Sequence, residues 1–461
     1  MMQSLPFKDF KWMAEEKIAR IDDAWINSIS EDSPTGYILE VDISTPKKHH
    51  KKLSDYPLAP IKKTVNGAQL SKYQRDILKQ LGKDEKKIEE LKSAEKLILD
   101  FAPKKKYAVH YRNLQLYIDL GMKVTKVHRV LSFQQKPWLA PYIEANTEMR
   151  KKASNEFEKN FFKLMNNAFF GKTMEDVRKR RVIDIVNRDP IALNKLTAKP
   201  TYKSTMYISD DICAVERTKA TVRLNKPIYL GLCVLDLSKF LMYDFYHRKL
   251  KQVFPESKLL FTDTDSLCIS ISGCDDIWQR IREGKLTQPN GEMTSFMDEF
   301  DVSGYSSDHP LFTGISSDKI VEQKSKNKKV PGLMKDELDG NVLLEFVGLR
   351  AKAYAMKQLI VFENDQKDWD DGEVLEIKKL KGIQKCVVQK NISFDNFLEC
   401  LFDQREHYAD TTSLRSFDHK IKTLAVRKLA MSPYDDKRFL LEDGITSIPF
   451  GHKYCGKAQY R

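Results

Sequence analysis

The segment Leu259-Leu260-Phe261-Thr262-Asp263-Thr264-Asp265-Ser266-Leu267-Cys268-Ile269-Ser270-Ile271 runs apolar up to an acidic tip and apolar again after it. That pattern predicts a tight hairpin with buried strands and an acidic turn. If the backbone between them is extended, Asp263 and Asp265 share one side, and two carboxylates converge on a small volume. Like charges held that close repel unless a cation separates them. Mg²⁺, an oxygen-seeking ion that accompanies phosphate substrates, suits such a pair. An acidic surface turn is the alternative, and the apolar flanks favour the metal-binding reading.

A second group with chemical potential lies in the longest helical pattern of the chain, from about Ile143 to Asp176. At helical spacing Lys159, Lys163, Asn167 and Phe170 fall within an arc of about 80°, while Phe162, Met165 and Phe169 point toward a core. Lys152 continues the arc, and Lys151 falls beside it, toward the apolar side. Cations one turn apart repel unless an anion joins them. A basic stripe in line with an asparagine and an aromatic ring therefore suits a phosphate-bearing ligand whose base rests on a flat surface. The alternative is a solvated helix face. A third group follows later: Leu343 to Ala355 reads as a strand pair with Arg350, Lys352 and Tyr354 on one face. Beyond an acidic hairpin near Asp368 to Asp371 comes Lys378-Lys379-Leu380-Lys381-Gly382, where glycine beside lysine lets the backbone approach a phosphodiester.

These groups need elements to hold them. Leu5-Pro6 and Phe7, Phe10, Trp12 and Met13 form an apolar opening with nothing before it to pair or cover it. Gly36 to Ile43 reads as a strand stopped by Ser44-Thr45-Pro46, with Asp42 near its end as a rival metal ligand. A helix or two are expected over residues 70 to 99, a short helix from Leu114 to Leu120 ending at Gly121, and a strand from Lys126 to Phe133. Residues 172 to 226 read as a hairpin-rich insertion, with strands at Lys203 to Ile208 and Ala220 to Leu224. A helix from Tyr229 to Tyr246 would pack under the sheet that carries the acidic hairpin. Lys324 to Lys329 reads as a basic loop. From Phe394 a small tail of helix and short strands begins, with Lys420, Lys422, Arg427 and Lys428 among its charges.

The chain has 461 residues, 41% of them hydrophobic, enough for two or three cores. Its net charge of +13 points to a polyanionic partner. Seven scattered cysteines without a Cys-x-x-Cys pair argue against a zinc module and for a reducing compartment. No secretory leader is visible, and no apolar run approaches the roughly 20 residues that span a bilayer.

Taken together, these residues resemble a family B DNA polymerase, of the protein-primed branch found in viruses and in self-synthesising Maverick or Polinton transposons. Lys163-Leu164-Met165-Asn166-Asn167-Ala168-Phe169-Phe170-Gly171 resembles that family's fingers motif, a lysine followed after three residues by Asn-Ser-x-Tyr-Gly. Asp263-Thr264-Asp265-Ser266 resembles its palm metal motif, and Lys352-Ala353-Tyr354 its lysine-x-tyrosine element at the primer terminus. Lys381-Gly382 stands where a template- or primer-binding pair is expected. The motifs occur in the family's order and span most of the chain.

The resemblance implies an α+β, right-hand architecture: an antiparallel palm sheet, helical fingers and a small thumb. Partial palm with a protein-primed-type insertion would occupy 1–135, fingers 136–175, a small insertion 176–225, palm 226–390, and a thumb or C-terminal domain 391–461. Lys163 would contact the incoming triphosphate with Lys159 and Lys151 as helpers, while Asn167 and Phe170 line the sugar and base pocket. Ala168 and Phe170 depart from the usual serine and tyrosine, which implies altered fidelity or sugar discrimination. Asp263 and Asp265 would be the catalytic metal ligands for two Mg²⁺ ions in an intact enzyme. Lys352, Tyr354, Lys381 and Gly382 would grip DNA. Implied partners are primer-template DNA, deoxynucleoside triphosphates and a terminal protein as primer, with no membrane, in the nucleus or cytoplasm of a host cell.

One expected element is missing from this sequence. The family carries a first palm motif resembling Asp-x-x-Ser-Leu-Tyr-Pro just before a Leu-Pro and Phe-Lys-Trp such as Leu5-Pro6 and Phe10-Lys11-Trp12, and an exonuclease domain before that. Asp42 imitates the missing aspartate, but its strand resembles the element that comes next. The expectation is a DNA-directed DNA polymerase fragment with little turnover of its own; the alternatives are an inactive chain that only binds nucleic acid, and a nuclease or other nucleotidyltransferase.

Overall fold

The computed structural model describes residues 1–360, 373–417 and 420–455. The acidic stretch near Asp368 to Asp371 lies outside them. The fold mixes α and β, and the chain groups into two compact units. Met1–Pro6, Lys136–Leu235 and Asp410–Arg427 make one, and Phe7–Gln135, Asp236–Ala409 and Lys428–Arg461 make the other.

Apolar runs in the first third of the chain build a four-stranded sheet. Its strands are Leu5–Trp12 (β1), Thr35–Ser44 (β2), Lys104–His110 (β3) and Lys123–Lys136 (β4), in the order β1-β4-β2-β3. Strand β2 pairs antiparallel with both neighbours. Leu39, Val41 and Ile43 of β2, Val109 of β3 and Val130 of β4 are buried in one core, as period-two alternation requires. The opening segment is therefore paired after all, although Phe7, Phe10 and Trp12 stay exposed. Helix α1 (Tyr111–Asp119) follows β3 directly, and Gly121 leaves it at φ 105°, a conformation that favours glycine. The 70–99 region holds the helices Lys72–Gln80 and Glu85–Glu89, and then a strand, Lys96–Ile98, paired with Ile61–Lys63.

The unit containing Lys136–Leu235 holds two helices, α2 (Ala140–Lys152) and α3 (Glu156–Thr173), where one continuous pattern was expected. Ala153 is extended at ψ 130°, and the Asn155 side chain accepts the Glu158 N–H at 2.9 Å. An asparagine that caps a new helix thus ends the old one. The insertion is a sheet of Arg181–Asn187 (β5), Tyr202–Tyr207 (β6) and Ile212–Thr218 (β7), ordered β5-β7-β6, with helix α4 (Pro190–Thr197) packed on Val186, Cys213 and Val215. The stretch Ala220 to Leu224, expected as a strand, is irregular.

In the other unit the end of helix α5 (Ile228–Asp244) and its continuation bury Met242, Tyr243, Phe245 and Tyr246 in the core of the first sheet. The acidic hairpin, β8 (Lys258–Thr262) with β9 (Leu267–Ser270), lays Leu259, Leu267 and Ile269 on that core. Its other face is open, with Leu260 48% exposed, so the strands are half-buried rather than buried. Lys324 and Lys326 lie on a helix, Ser317–Lys326, not in a loop, and Lys326 pairs with Asp298 at 2.9 Å. An antiparallel sheet of β10 (Val342–Arg350), β11 (Ala353–Ile360) and β12 (Glu373–Leu380) shares a second core with α6 (Phe394–Phe402) through Val347, Ala355, Phe394 and Phe397. Two long strands, β13 (His407–Phe417) and β14 (Lys420–Met431), follow as a two-stranded sheet.

Candidate active site

Thr262 and Leu267 are the last paired residues of the acidic hairpin, leaving Asp263 to Ser266 as its turn. The Asp265 N–H donates to the Asp263 carbonyl at 2.7 Å, the Asp263 N–H to the Ser266 carbonyl at 3.2 Å, and the Ser266 hydroxyl to the Asp263 carbonyl at 3.3 Å. The backbone between the two aspartates is therefore curled, not extended. A turn, not pleat alternation, sets how the two are placed. Thr264 at its apex has φ 64°, an outlier for a β-branched residue. Non-glycine residues in this left-handed region cost about 1–2 kcal/mol each and concentrate at functional sites.

Strands β10 and β11 meet at a second tight turn. Arg350 pairs with Ala353, and Lys352 sits between them at φ 62°, again left-handed. Lys352 is thus a turn residue and not part of a strand face with Arg350 and Tyr354. Its ammonium reaches Asp263 Oδ2 at 3.3 Å. The Lys381 N–H donates to the Lys352 carbonyl at 3.0 Å, which ties the end of β12 to the same turn, and Gly382 follows at φ 104°. Gly382 has open space around its α-carbon, so the backbone angle, not crowding within the chain, calls for glycine there. The Tyr354 ring lies 4.7 Å from Phe261 of β8 and 6.0 Å from Phe346 of β10. Burial raises the Tyr354 phenol above its usual range, and the neighbouring Asp263 charge raises it further. Asp263, Lys352, Tyr354 and Lys381 thus form one constellation, with Asp265 exposed at its rim.

Asp42 has a separate set of partners. Its carboxylate, 6% exposed on β2, accepts from the Lys106 N–H at 2.8 Å, His128 Nε2 at 2.8 Å and Lys105 Nζ at 3.0 Å. The Lys106 N–H, followed by the side chains of His128 and Lys105, holds it well below the usual carboxylate range. Among the described residues no three His, Cys, Asp or Glu side chains cluster as a ligand set, Asp42, Asp263 and Asp265 included. Mg²⁺ needs no such cage, since one or two carboxylates plus substrate phosphates commonly hold it. Asp263 and Asp265 carry hard oxygen donors of the type such an ion takes, and Asp263 already pairs with the Lys352 ammonium.

The basic helix residues lie in the other unit. Lys159, Lys163, Asn167 and Phe170 are on α3, whereas Lys151 and Lys152 end α2, so the break at Ala153 to Asn155 removes them from the helical arc. Lys151 pairs with Glu148 at 2.9 Å and Lys159 with Glu156 at 2.7 Å. Lys163 and Asn167 are exposed, and among the described residues the Lys163 ammonium has no carboxylate partner. Helix α3 meets α2 through Asn166, which accepts from the Asn146 amide at 3.0 Å, and through Phe169, 6.3 Å from Tyr142; the Phe169 ring also lies 6.0 Å from Trp138, just ahead of α2. Met165, expected to reach a core, is 37% exposed.

Sequence reasoning missed the roles of Phe261 and Phe346 as the bed for Tyr354, and the left-handed turns at Thr264 and Lys352. Neither turn carries the glycine or asparagine that would signal it.

No protein-family model matches the chain, and no curated protein matches it. Solved structures do. The fold is similar to that of Phi29 DNA polymerase complexed with primer-template DNA and incoming nucleotide substrates, with a TM-score of 0.50 at 12% identity. An orthorhombic crystal form of Phi29 DNA polymerase matches equally, with a TM-score of 0.50 and 12% identity. Each match covers 93% of this chain and 55% of that one, so the chain spans about half the length of the structures it resembles. At this identity the likeness is one of fold.

Proposed function

We propose that the chain is the polymerising portion of a DNA-directed DNA polymerase of family B, protein-primed branch, adding deoxynucleotides to a primer 3′ end. The observation that carries this reading is the meeting of Lys352 and Tyr354 with the Asp263 hairpin: 3.3 Å from ammonium to carboxylate, 4.7 Å from ring to ring. Two segments far apart in sequence, each resembling a different motif of one polymerase site, are packed together. The likeness of fold to a polymerase solved with primer-template DNA and nucleotide supports the same conclusion.

In this reading the sheet and hairpin elements of the larger unit are palm, α2 and α3 are fingers, and the region from Phe394 is thumb. Lys352 and Lys381 hold primer phosphates from turns locked to each other by a backbone hydrogen bond, and the Tyr354 ring rests against the terminal sugar. Lys163 binds the triphosphate, while Asn167 and Phe170 orient sugar and base. Asp263 and Asp265 would hold Mg²⁺, which when bound neutralises charge developing on the triphosphate. A terminal protein is the proposed primer.

Primer extension tests the reading. Labelled primer-template, four deoxynucleotides and Mg²⁺ should yield weak extension at most, in keeping with the missing first palm motif, and Asp263→Ala should abolish what there is. Binding of primer-template without any extension would favour the second reading, a chain that only holds nucleic acid, to which the full engagement of Asp42 by three donors lends weight. Extension insensitive to Asp263→Ala would sink the assignment of the hairpin.

A further inference from the structure

We propose that Lys352 is a resident counter-ion for Asp263, displaced by an arriving divalent cation and thereby released to a phosphate. The inference rests on the proposed function, because it concerns the same hairpin.

The geometry is specific. Lys352 Nζ stands 3.3 Å from Asp263 Oδ2, with half of the lysine side chain and a third of the aspartate side chain open to solvent. Asp265, by contrast, has no cationic partner among the described residues. The turn that delivers Lys352 is held on both sides, by the Arg350 and Ala353 pairing and by the Lys381 N–H on its own carbonyl. It keeps a left-handed lysine opposite a left-handed threonine, a combination that local preference disfavours. One partner of the ion pair is itself left-handed, and the other immediately precedes a left-handed residue, so both turns hold their backbones against local preference. The lysine stem is flexible and its ammonium compact, so the head can leave the carboxylate while the turn stays fixed.

A dication bound by Asp263 and the ammonium cannot both sit at that carboxylate without repulsion. At contact distance near a protein surface the term is large enough to govern affinity, and removing the ammonium should tighten divalent binding by about 3- to 10-fold at low ionic strength. Displacement frees one positive charge beside the path assigned to the primer backbone. Cation and DNA therefore assist each other, and by linkage each strengthens the other's binding equally.

Mn²⁺ serves as the probe, with free ion counted by electron paramagnetic resonance in DNA-free protein. The wild-type chain should bind Mn²⁺ at a site that Asp263→Asn removes. Lys352→Met should tighten that site by about 3- to 10-fold, the effect shrinking as salt is raised, whereas Lys352→Arg, which keeps the charge, should leave it near wild type. A site lost in Asp263→Asn but unchanged in Lys352→Met would overturn the counter-ion role and leave the cation reading standing. Equal tightening by Lys352→Met and Lys352→Arg would trace the effect to packing and overturn it too. Absence of any Mn²⁺ site sensitive to Asp263 would overturn the cation reading itself, and the counter-ion role with it.

Discussion

Replacing Lys381 by alanine should weaken primer-template binding in a way that salt exposes. Lys381 is exposed, its backbone is tied to the Lys352 turn, and among the described residues its ammonium has no carboxylate partner. Its whole charge is therefore available to a phosphate. Each neutralised phosphate contributes about −0.9 to the slope of log affinity against log salt, so Lys381→Ala should make the slope shallower by about that amount. Between about 50 and about 200 mM salt, one such contact is worth about 0.5 log unit, so the defect should shrink by roughly 3.5-fold across that range. Lys352→Ala should alter the slope less in divalent-free buffer, because Asp263 already neutralises part of the lysine's charge at 3.3 Å. Different sequences should lose affinity alike, since phosphate contacts position DNA without reading it. Fluorescence anisotropy of labelled primer-template at several salt concentrations measures both slopes. An unchanged slope in Lys381→Ala, or a loss confined to certain sequences, would refute the assignment of Lys381 to the backbone.

Lys163→Ala should raise the KM for deoxynucleotides at least tenfold while leaving DNA affinity near wild type, as steady-state extension and anisotropy would read separately; equal loss in both assays would contradict a nucleotide-specific role. Asp42→Asn should reduce extension far less than Asp263→Asn, yet lower the denaturation midpoint at neutral pH. Because the Asp42 carboxyl is held below its usual range, its stabilising contribution is complete above about pH 4 and disappears as pH falls further, so the two proteins should converge in acid. His110 is buried between Tyr111 and Phe133, with neither ring nitrogen hydrogen-bonded among the described residues, and burial pushes it down to about 3. Between about pH 6.5 and that value the unfolded chain takes up a proton that the folded chain refuses, so stability should decline with acid. His110→Leu should remove roughly one proton of that dependence and, by deleting unsatisfied polar atoms, stabilise the fold by about 1 kcal/mol at neutral pH in urea titrations.

Local patterns in the sequence determined much of this protein. The acidic hairpin, the β10 and β11 pair, the strand at Thr35–Ser44 and the helix at Ile228–Asp244 all follow from apolar periodicity, which reports the face a segment must bury. The types of residue at the site were equally legible, because carboxylates at a hairpin tip and a lysine two positions before a tyrosine are chemistry written in order. Tertiary structure decided how they meet. Nothing in Arg350-Ala351-Lys352-Ala353 announces a left-handed turn; the pairing of Arg350 with Ala353 and the Lys381 hydrogen bond impose it, against the preference of lysine itself. The curl at Thr264 likewise comes from closing a hairpin between strands seated on a core, which overrides the pleat that spacing alone suggests. Asp42 is a rival metal ligand on sequence alone because Val41-Asp42-Ile43-Ser44-Thr45-Pro46 imitates the missing motif, while its strand resembles the element that comes next. Its neighbours in space, Lys105, Lys106 and His128, come from adjacent strands and occupy that carboxylate with three donors. A residue's type is local information, but its partners depend on which strands lie side by side, and only the folded sheet sets that order.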